Sequence, residues 1–240
     1  MTRAIAWSLE RVGDAALALA FDERIDPVIN DRAVRVAAAV RGAGHPGVRD
    51  VVDSYAAVTV HFDPLRTDVD ALARDLKREA RSTAGPGAHA SRPSREFRIP
   101  VRYGGVHGPD LADVAAFGRC SEAAVVERHV ARVYRVYMLG FLPGFAYLAE
   151  VDPAIAAPRQ TTARLRVPAG SVGIANGQTG VYPVEAPGGW QIIGQTPTPM
   201  YAPARADPFL LHAGDAVRFT AIGEAEFCRL ASGSQPTVIE

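Results

Sequence analysis

The chain has 240 residues, of which 48% are hydrophobic and 22% charged, and this is enough for one large globular domain or two small ones. Its 26 basic and 26 acidic residues cancel, so the composition argues against nucleic acid and against an anionic membrane as partners. The N-terminal stretch MTRAIAWSLERVGD is too short and too charged for a signal peptide or a membrane span, and we expect a cytoplasmic protein.

The first part of the chain alternates short strands with amphipathic helices. Period-two patterning of apolar side chains predicts strand structure within residues 4–9, 15–21 and 51–62. Asp26 followed by Pro27 is typical of a helix start, and Thr67 is predicted to open a second helix. Two helices against a small, largely antiparallel sheet predict an α+β domain over residues 1–82.

A change of composition predicts a second domain. Residues 83–95 are rich in Gly, Pro, Ser and Ala and are predicted to be a linker. Beyond them, FRIPVRY and RVYRVYML are predicted strands, with short helices near residues 110–117 and 122–130 between them. Brief β-branched runs then alternate with glycine- and proline-rich turns, which is typical of a β-barrel or sandwich over residues 96–240.

Two scarce residue types limit the chemistry. Cys120 and Cys228 match no metal or redox spacing and are predicted to be reduced thiols, although one disulfide stays open as an alternative. Lys77 is the only lysine, and it lies in a charged helical run where a solvated face is expected. Any phosphate or carboxylate would therefore be held by arginine or by backbone N–H groups.

Two glycine-rich stretches are candidates for a binding site. In YRVYMLGFLPGFAYL, Gly140 and Gly144 would let backbone N–H groups face a ligand, and aromatic side chains could wall a pocket. The stretch RVPAGSVGIANGQTGVYPVEAPGGWQIIGQTP interleaves glycines with polar and aromatic side chains. Both also fit turns and barrel hairpins with core aromatics, and composition does not separate these alternatives.

Several familiar motifs are incomplete. The segment AGSVG lacks the first glycine of a nucleophile elbow, and neither a P-loop nor a dinucleotide-binding loop is present. The six histidines form no H-x-H or H-E-x-x-H pattern, so we predict no metal site. His129 ends a helical run, where the helix C-terminus would favour its protonated form, and a surface or capping role is the alternative.

Residues 129–148, Pro158-Arg159 and residues 167–197 resemble the allophanate hydrolase subunit 1 family, also called KipI-like, whose widespread members are the B subunits of bacterial 5-oxoprolinase. The resemblance covers most of the second domain and extends more loosely into the first through VRDVVDSYAAVTVHFDP. Asn176 departs from the family pattern, since glycine is usual there. The resemblance implies a small ferredoxin-like α+β domain followed by a cyclophilin-like β-barrel.

The same resemblance implies that the chain works in a complex. The expected partners are a KipA-like protein, which is the C subunit of 5-oxoprolinase, and a separate A subunit. Together they would hydrolyse 5-oxo-L-proline to L-glutamate at the expense of ATP, which this chain need not bind itself. Phosphorylation of the lactam oxygen would make a resonance-stabilised amide reactive, and the protein would supply orientation and charge stabilisation.

The site residues expected on this basis fall into three groups. The predicted catalytic residues are His129 as a proton carrier and Arg159 and Arg166 as clamps for a carboxylate or phosphoryl group. The predicted substrate-binding residues are Tyr147, Ser171, Gln178, Thr179, Glu185 and Trp190. The glycines whose backbone is expected to line the site are Gly140, Gly144, Gly170, Gly173, Gly177 and Gly180.

Two other functions stay open. The chain could be the carboxyltransferase-type subunit of a urea or allophanate pathway enzyme, since the same pair of domains occurs there. It could also be a KipI-like inhibitor of a histidine kinase that acts by binding protein. The 5-oxoprolinase function is ranked first because it is the commoner role for this pattern, which is an argument from analogy.

Overall fold

The computed structural model describes residues 5–82, 95–233 and the backbone of 238–239. The chain divides into two compact units, Met1–Pro93 and Ser94–Glu240. Of the predicted linker, residues 83–94 lie outside the described residues. None of the described helices is long and apolar enough to cross a membrane.

The first unit is an α+β domain, as predicted. Its elements are β1 (Trp7–Val12), β2 (Ala16–Phe21), α1 (Pro27–Ala43), β3 (Val48–Asp53), β4 (Ala57–Phe62) and α2 (Val69–Arg81). The strands form one antiparallel sheet in the order β1-β2-β4-β3. A ferredoxin-like chain runs βαββαβ. This unit begins with a hairpin and ends on a helix, so the ferredoxin-like description is not confirmed.

Local signals set the helix starts in this unit. The Asp26 carboxylate accepts hydrogen bonds from the amides of Val28 and Ile29 at 2.9 and 3.3 Å, which confirms the predicted cap. The second helix is capped by Asp68 rather than opened by Thr67, whose hydroxyl bonds elsewhere. Its register follows from an apolar stripe of buried leucines.

The run 51–62 is two strands and not one. Ser54 donates its amide to the carbonyl of Ala57 at 2.8 Å, which closes a tight turn between β3 and β4. The sequence there, DSYA, has neither glycine nor proline, so Asp53 and Ser54 are its only turn-favouring residues.

The second unit is built mainly of strands. It contains β5 (Glu96–Tyr103), α3 (Leu111–Phe117), α4 (Glu122–Val130), β6 (Val133–Leu139), β7 (Ala146–Ala149), β8 (Arg164–Val167), β9 (Ser171–Ala175), β10 (Gln178–Val181), β11 (Ala186–Gly188), β12 (Gln191–Gln195), β13 (Ala216–Ala221), α5 (Glu224–Ala231) and β14 (Val238–Ile239). Short 3-10 turns lie at Gly105–His107 and Pro153–Ile155. The two predicted helices and the two predicted strands of this region are confirmed.

Seven strands form a closed barrel in the order β12-β9-β10-β7-β6-β13-β5. The ring closes where β12 pairs with β5, through Gly194 opposite Tyr103. A Cβ on Gly194 would stand 2.6 Å from a methyl of Val101, so glycine lets the two strands meet. The barrel is therefore confirmed over the sandwich, while the cyclophilin-like description stays a prediction.

Two hydrophobic clusters fill this unit. The larger one lies inside the barrel and under α3 and α4, and includes Phe97, Ile99, Tyr134, Val136 and Phe219. The smaller one is centred on aromatic side chains beside β7, β9 and β12. Cys120 is half-buried and Cys228 exposed, and both are free thiols, as predicted.

Candidate functional site beside the barrel

Five aromatic side chains form what we call the aromatic cluster: Phe141, Phe145, Tyr147, Tyr182 and Trp190. They come from the loop before β7, from β7 itself and from the segment between β10 and β12. The ring centroid of Phe145 lies 5.6, 4.9, 5.3 and 5.4 Å from those of the other four, in the order given. The pairs meet edge to face, which is the arrangement that aromatic quadrupoles favour.

Glycines give this cluster the space it needs. A Cβ on Gly188 would stand 2.2 Å from the hydroxyl oxygen of Tyr182, and one on Gly180 would stand 3.1 Å from the ring of Phe145. Neither contact is compatible with a larger residue unless the aromatic side chain moves. Part of the glycine density in this segment therefore serves packing.

Two of the six predicted glycine amides donate hydrogen bonds within the protein. Gly140 donates to the carbonyl of Phe145 at 3.1 Å, and Gly170 donates to that of Tyr182 at 2.7 Å. Of the other predicted glycines, Gly173 and Gly180 lie in the β9–β10 ladder, Gly177 lies in its turn, and Gly144 has φ +83°. At Gly140 and Gly170 the prediction of amides free to hold an anion is wrong.

Arg159 is the cation of the site. It is exposed, and its guanidinium carbon lies 6.0 Å from the ring centroid of Trp190, within cation–π range. Burial raises the pKa of Tyr147, and the positive charge of Arg159 opposes that rise. Within residues 5–82 and 95–233, no ion pair joins Arg159 to an acidic side chain.

Amide bonds fix the segment that carries Arg159. The side-chain amide of Gln160 donates to the side-chain oxygen of Gln191 at 2.7 Å, and Gln191 donates to the carbonyl of Pro158 at 3.0 Å. The backbone amide of Gln160 donates to the carbonyl of Gly189 at 2.7 Å. The residues on both sides of the arginine are thus tied to the residues on both sides of the indole.

A buried ion pair lies nearby. Asp110 is 2% exposed, and Arg164 binds its two carboxylate oxygens as a fork, with one distance of 2.8 Å. The same carboxylate accepts the amide of Ile192 at 2.6 Å. This pair connects the start of α3 to β8 and β12, and the sequence did not reveal it because its members lie 54 residues apart.

His129 does not belong to the exposed site. Its side chain is fully buried, with Nδ1 2.8 Å from the Tyr103 hydroxyl and Nε2 3.0 Å from the Thr179 hydroxyl. It stacks on Phe219 at 4.7 Å. Burial lowers its pKa to about 3. The expectation of a protonated histidine is therefore wrong, and its role as a proton carrier loses its physical basis.

Three of the remaining predicted residues, Ser171, Gln178 and Thr179, lie in the strands β9 and β10 of the barrel. Thr179 is buried with His129 and donates to the carbonyl of Gly173 at 2.9 Å, and Ser171 is buried in β9. Gln178, half-buried, begins β10 after the turn at Asn176, whose φ of 55° shows that asparagine adopts the left-handed conformation there. In the described part of the chain, no hydrogen bond joins these side chains to Arg159.

Arg166 and Glu185 form a surface pair. Their closest charged atoms are 3.8 Å apart, and their side chains are 82% and 58% exposed. Such a pair is screened by solvent and contributes little. Of the predicted site residues, the structure brings together Arg159, Tyr147 and Trp190, and it adds three aromatic residues that the prediction had omitted. Two Gly-Phe pairs in the sequence were the signal for two of these.

Residues 7–211 match the protein family described as the carboxyltransferase domain, subdomain C and D. The chain belongs to this family. The B subunit of 5-oxoprolinase from Bacillus subtilis (strain 168) is 37% identical over 230 residues, which are 93% of this chain and 96% of that protein. The predicted family resemblance is thereby confirmed.

Solved structures agree with this assignment. TTHA0988 has a TM-score of 0.78 at 39% identity, and the match covers 92% of this chain but 41% of TTHA0988. This chain thus spans less than half of that protein. The urea amidolyase of K. lactis has a TM-score of 0.77 at 18% identity, over 98% of this chain and 16% of that one, and shows a shared fold.

Proposed function

We propose that this chain is the B subunit of an ATP-dependent 5-oxoprolinase complex, which hydrolyses 5-oxo-L-proline to L-glutamate. The observation that carries the proposal is the match to the Bacillus subtilis B subunit along 96% of its length. Agreement over nearly the whole of both chains supports a shared role better than agreement in one motif would.

The geometry is compatible with that substrate. A lactam amino acid has a flat amide ring and one carboxylate. Of the aromatic cluster, Phe141 is exposed and Tyr147 half-buried, so these two rings can meet a ligand, and Arg159 offers a charged fork that matches a carboxylate. On this proposal the chain's own residues bind and orient the substrate. The buried His129 stabilises the barrel and takes no proton from the substrate.

The sequence of this chain gives no support for an ATP site. The sequence contains no P-loop, and its only lysine, Lys77, is exposed on α2 of the first unit. Next to the aromatic cluster, Arg164 is already neutralised by Asp110. We therefore place ATP on the proposed partners, which are the KipA-like C subunit and the A subunit. The greater length of TTHA0988 is consistent with a function that needs more polypeptide than this chain.

Reconstitution tests the proposal. The chain would be mixed with the KipA-like protein and the A subunit, and the formation of glutamate and ADP from 5-oxo-L-proline and ATP would be measured. We expect turnover with all three proteins and none when this chain is left out. Equal turnover by the other two proteins alone would contradict the proposal.

The family match favours a second candidate, the carboxyltransferase-type subunit of a urea or allophanate pathway enzyme. That reaction moves a carboxyl group carried by biotin, so its complex would need bicarbonate and would be blocked by avidin. The same reconstituted complex decides between the two, because avidin should leave 5-oxoproline hydrolysis unaffected.

A further inference from the structure

We propose that Arg159 and the aromatic cluster form the 5-oxoproline site of the complex, with the substrate's carboxylate on Arg159 and its ring against the exposed aromatic side chains. This inference rests on the proposed function and deepens it. It assigns the substrate to this chain and the nucleotide to a partner. The family description and the names of the relatives do not give this division.

The charges next to the cluster fit one carboxylate. Arg164 is neutralised by the buried Asp110, and Arg166 lies beside Glu185 on the surface. Arg159 is the exposed guanidinium that lies over the indole, and in the described part of the chain it has no acidic partner. One free positive charge matches a monoanion, whereas a nucleoside triphosphate needs several cationic or metal contacts.

The part of the aromatic cluster that reaches the surface is apolar. Phe141 is 60% exposed although it packs edge to face on Phe145, and Tyr147 is half-buried. Phe141 also has a φ of 66°, a left-handed conformation that is unfavourable for a bulky residue. Backbone strain at an exposed aromatic residue is typical of sites that hold a ligand.

The backbone that carries Arg159 is held in place before any ligand arrives. The bonds of Gln160 and Gln191 fix the backbone on both sides of Arg159, and the guanidinium lies over a buried indole. Less conformational entropy is then lost when a carboxylate binds, so a single ion pair can contribute usefully to affinity.

Tryptophan fluorescence gives a direct test. The chain has two tryptophans, Trp7 and Trp190, so the variant W7F leaves the site tryptophan as the only reporter. We expect 5-oxo-L-proline to change its emission with a saturable curve, and the neutral 5-oxoprolinamide to bind at least about tenfold more weakly. ATP should give no saturable change. Calorimetry on the unmodified chain repeats the titrations independently of W7F.

Substitutions identify the cation. R159A should weaken 5-oxo-L-proline binding by at least about tenfold, and R159K should restore part of it because it keeps the charge. R229A, which removes an exposed arginine on α5, is the matched control and should bind as the unmodified chain does. Equal weakening by R166A and R159A, unchanged binding by R159A, or saturable binding of ATP would each overturn the inference.

The reconstituted complex separates this inference from the proposed function. With R159A we expect the KM for 5-oxo-L-proline to rise at least about tenfold while kcat changes much less, because the residue acts in binding. An active complex whose KM does not respond to R159A would refute the site and leave the function intact. A complex that is inactive with the unmodified chain would refute the function itself.

Discussion

The Nε2 atom of His129 lies 3.0 Å from the hydroxyl oxygen of Thr179, and this bond joins α4 to the barrel wall. The other ring nitrogen is bound by the hydroxyl of Tyr103 at 2.8 Å. Since both nitrogens are used and the side chain is fully buried, the histidine links three elements as a neutral group.

Acid should destabilise the second unit through this histidine. The unfolded chain takes up a proton near pH 6.5, whereas the folded chain resists protonation of His129 until about pH 3. Between these pH values the unfolded state therefore binds more protons than the folded state. Protonation of His129 in the unfolded chain then lowers the free energy of unfolding by up to about 1.4 kcal/mol for each unit by which the pH falls. Above pH 6.5 the contribution is constant. Urea unfolding at a series of pH values measures this slope.

The variant H129Q is the control, because glutamine can hydrogen-bond but does not titrate. Its free energy of unfolding should fall less steeply between pH 6.5 and 4 than that of the unmodified chain. Carboxylates contribute equally to both proteins, so the difference isolates the histidine. Parallel slopes for the two proteins would show that the imidazole is not held neutral.

Replacement of Gly188 by alanine should destabilise the aromatic cluster. The new methyl group would stand 2.2 Å from the hydroxyl of Tyr182, a side chain that is 1% exposed and cannot move freely. We expect a loss of about 1–3 kcal/mol in the free energy of unfolding, measured with urea. G177A is the control, since a Cβ there meets nothing within 4 Å, and it should cause no loss. Equal effects of the two substitutions would contradict the packing role of Gly188.

Removal of the buried Asp110 carboxylate should destabilise the protein more than removal of the surface charge of Arg166. D110A leaves the guanidinium of Arg164 and the amide of Ile192 without their acceptor. We expect D110A to lower the free energy of unfolding by about 2–3 kcal/mol. This is less than for a fully buried pair, because Arg164 is 35% exposed. R166A removes a surface ion pair and should leave the thermal midpoint unchanged. The interpretation fails if both variants unfold at the same temperature.

Strain at Phe141 can be measured by comparing two substitutions. Both F141A and F141G remove the ring that packs on Phe145, but only glycine adopts a φ of 66° without steric cost. We expect F141G to be more stable than F141A by about 1 kcal/mol. Thermal and urea unfolding of the two variants give this difference, and a more stable F141A would show that the left-handed backbone is not maintained.

Secondary structure was predicted correctly where it depends on residues that are close together in the sequence. The cap at Asp26, the helices α3 and α4 and the strands β5 and β6 depend on neighbouring residues and were predicted. The turn between β3 and β4 was missed because Asp53 and Ser54 give a weaker turn signal than glycine or proline. Closure of the barrel depends on a pairing between distant strands that no short pattern encodes.

The candidate site was predicted in part for the same reason. Tyr147 and Trp190 stood out because they lie in unusual glycine-rich segments, Arg159 was suggested by the family resemblance, and the structure brings the three together. The position of His129 at the end of a helix suggested exposure, but its burial is decided by Tyr103 and Phe219, which come from the distant strands β5 and β13. Asp110 and Arg164 carry no local pattern that would pair them.

The barrel's first strand is synthesised long before the strand beside it. Along its length β5 pairs in parallel with β13, and just before it Arg95 contacts Asp215, 120 residues further along the chain. During synthesis β5 emerges with this edge unpaired, and the edge stays unpaired until residues 216–221 have left the ribosome. The first unit has all of its strands by then, so the two units complete their folding at different times and the second is the one exposed to aggregation.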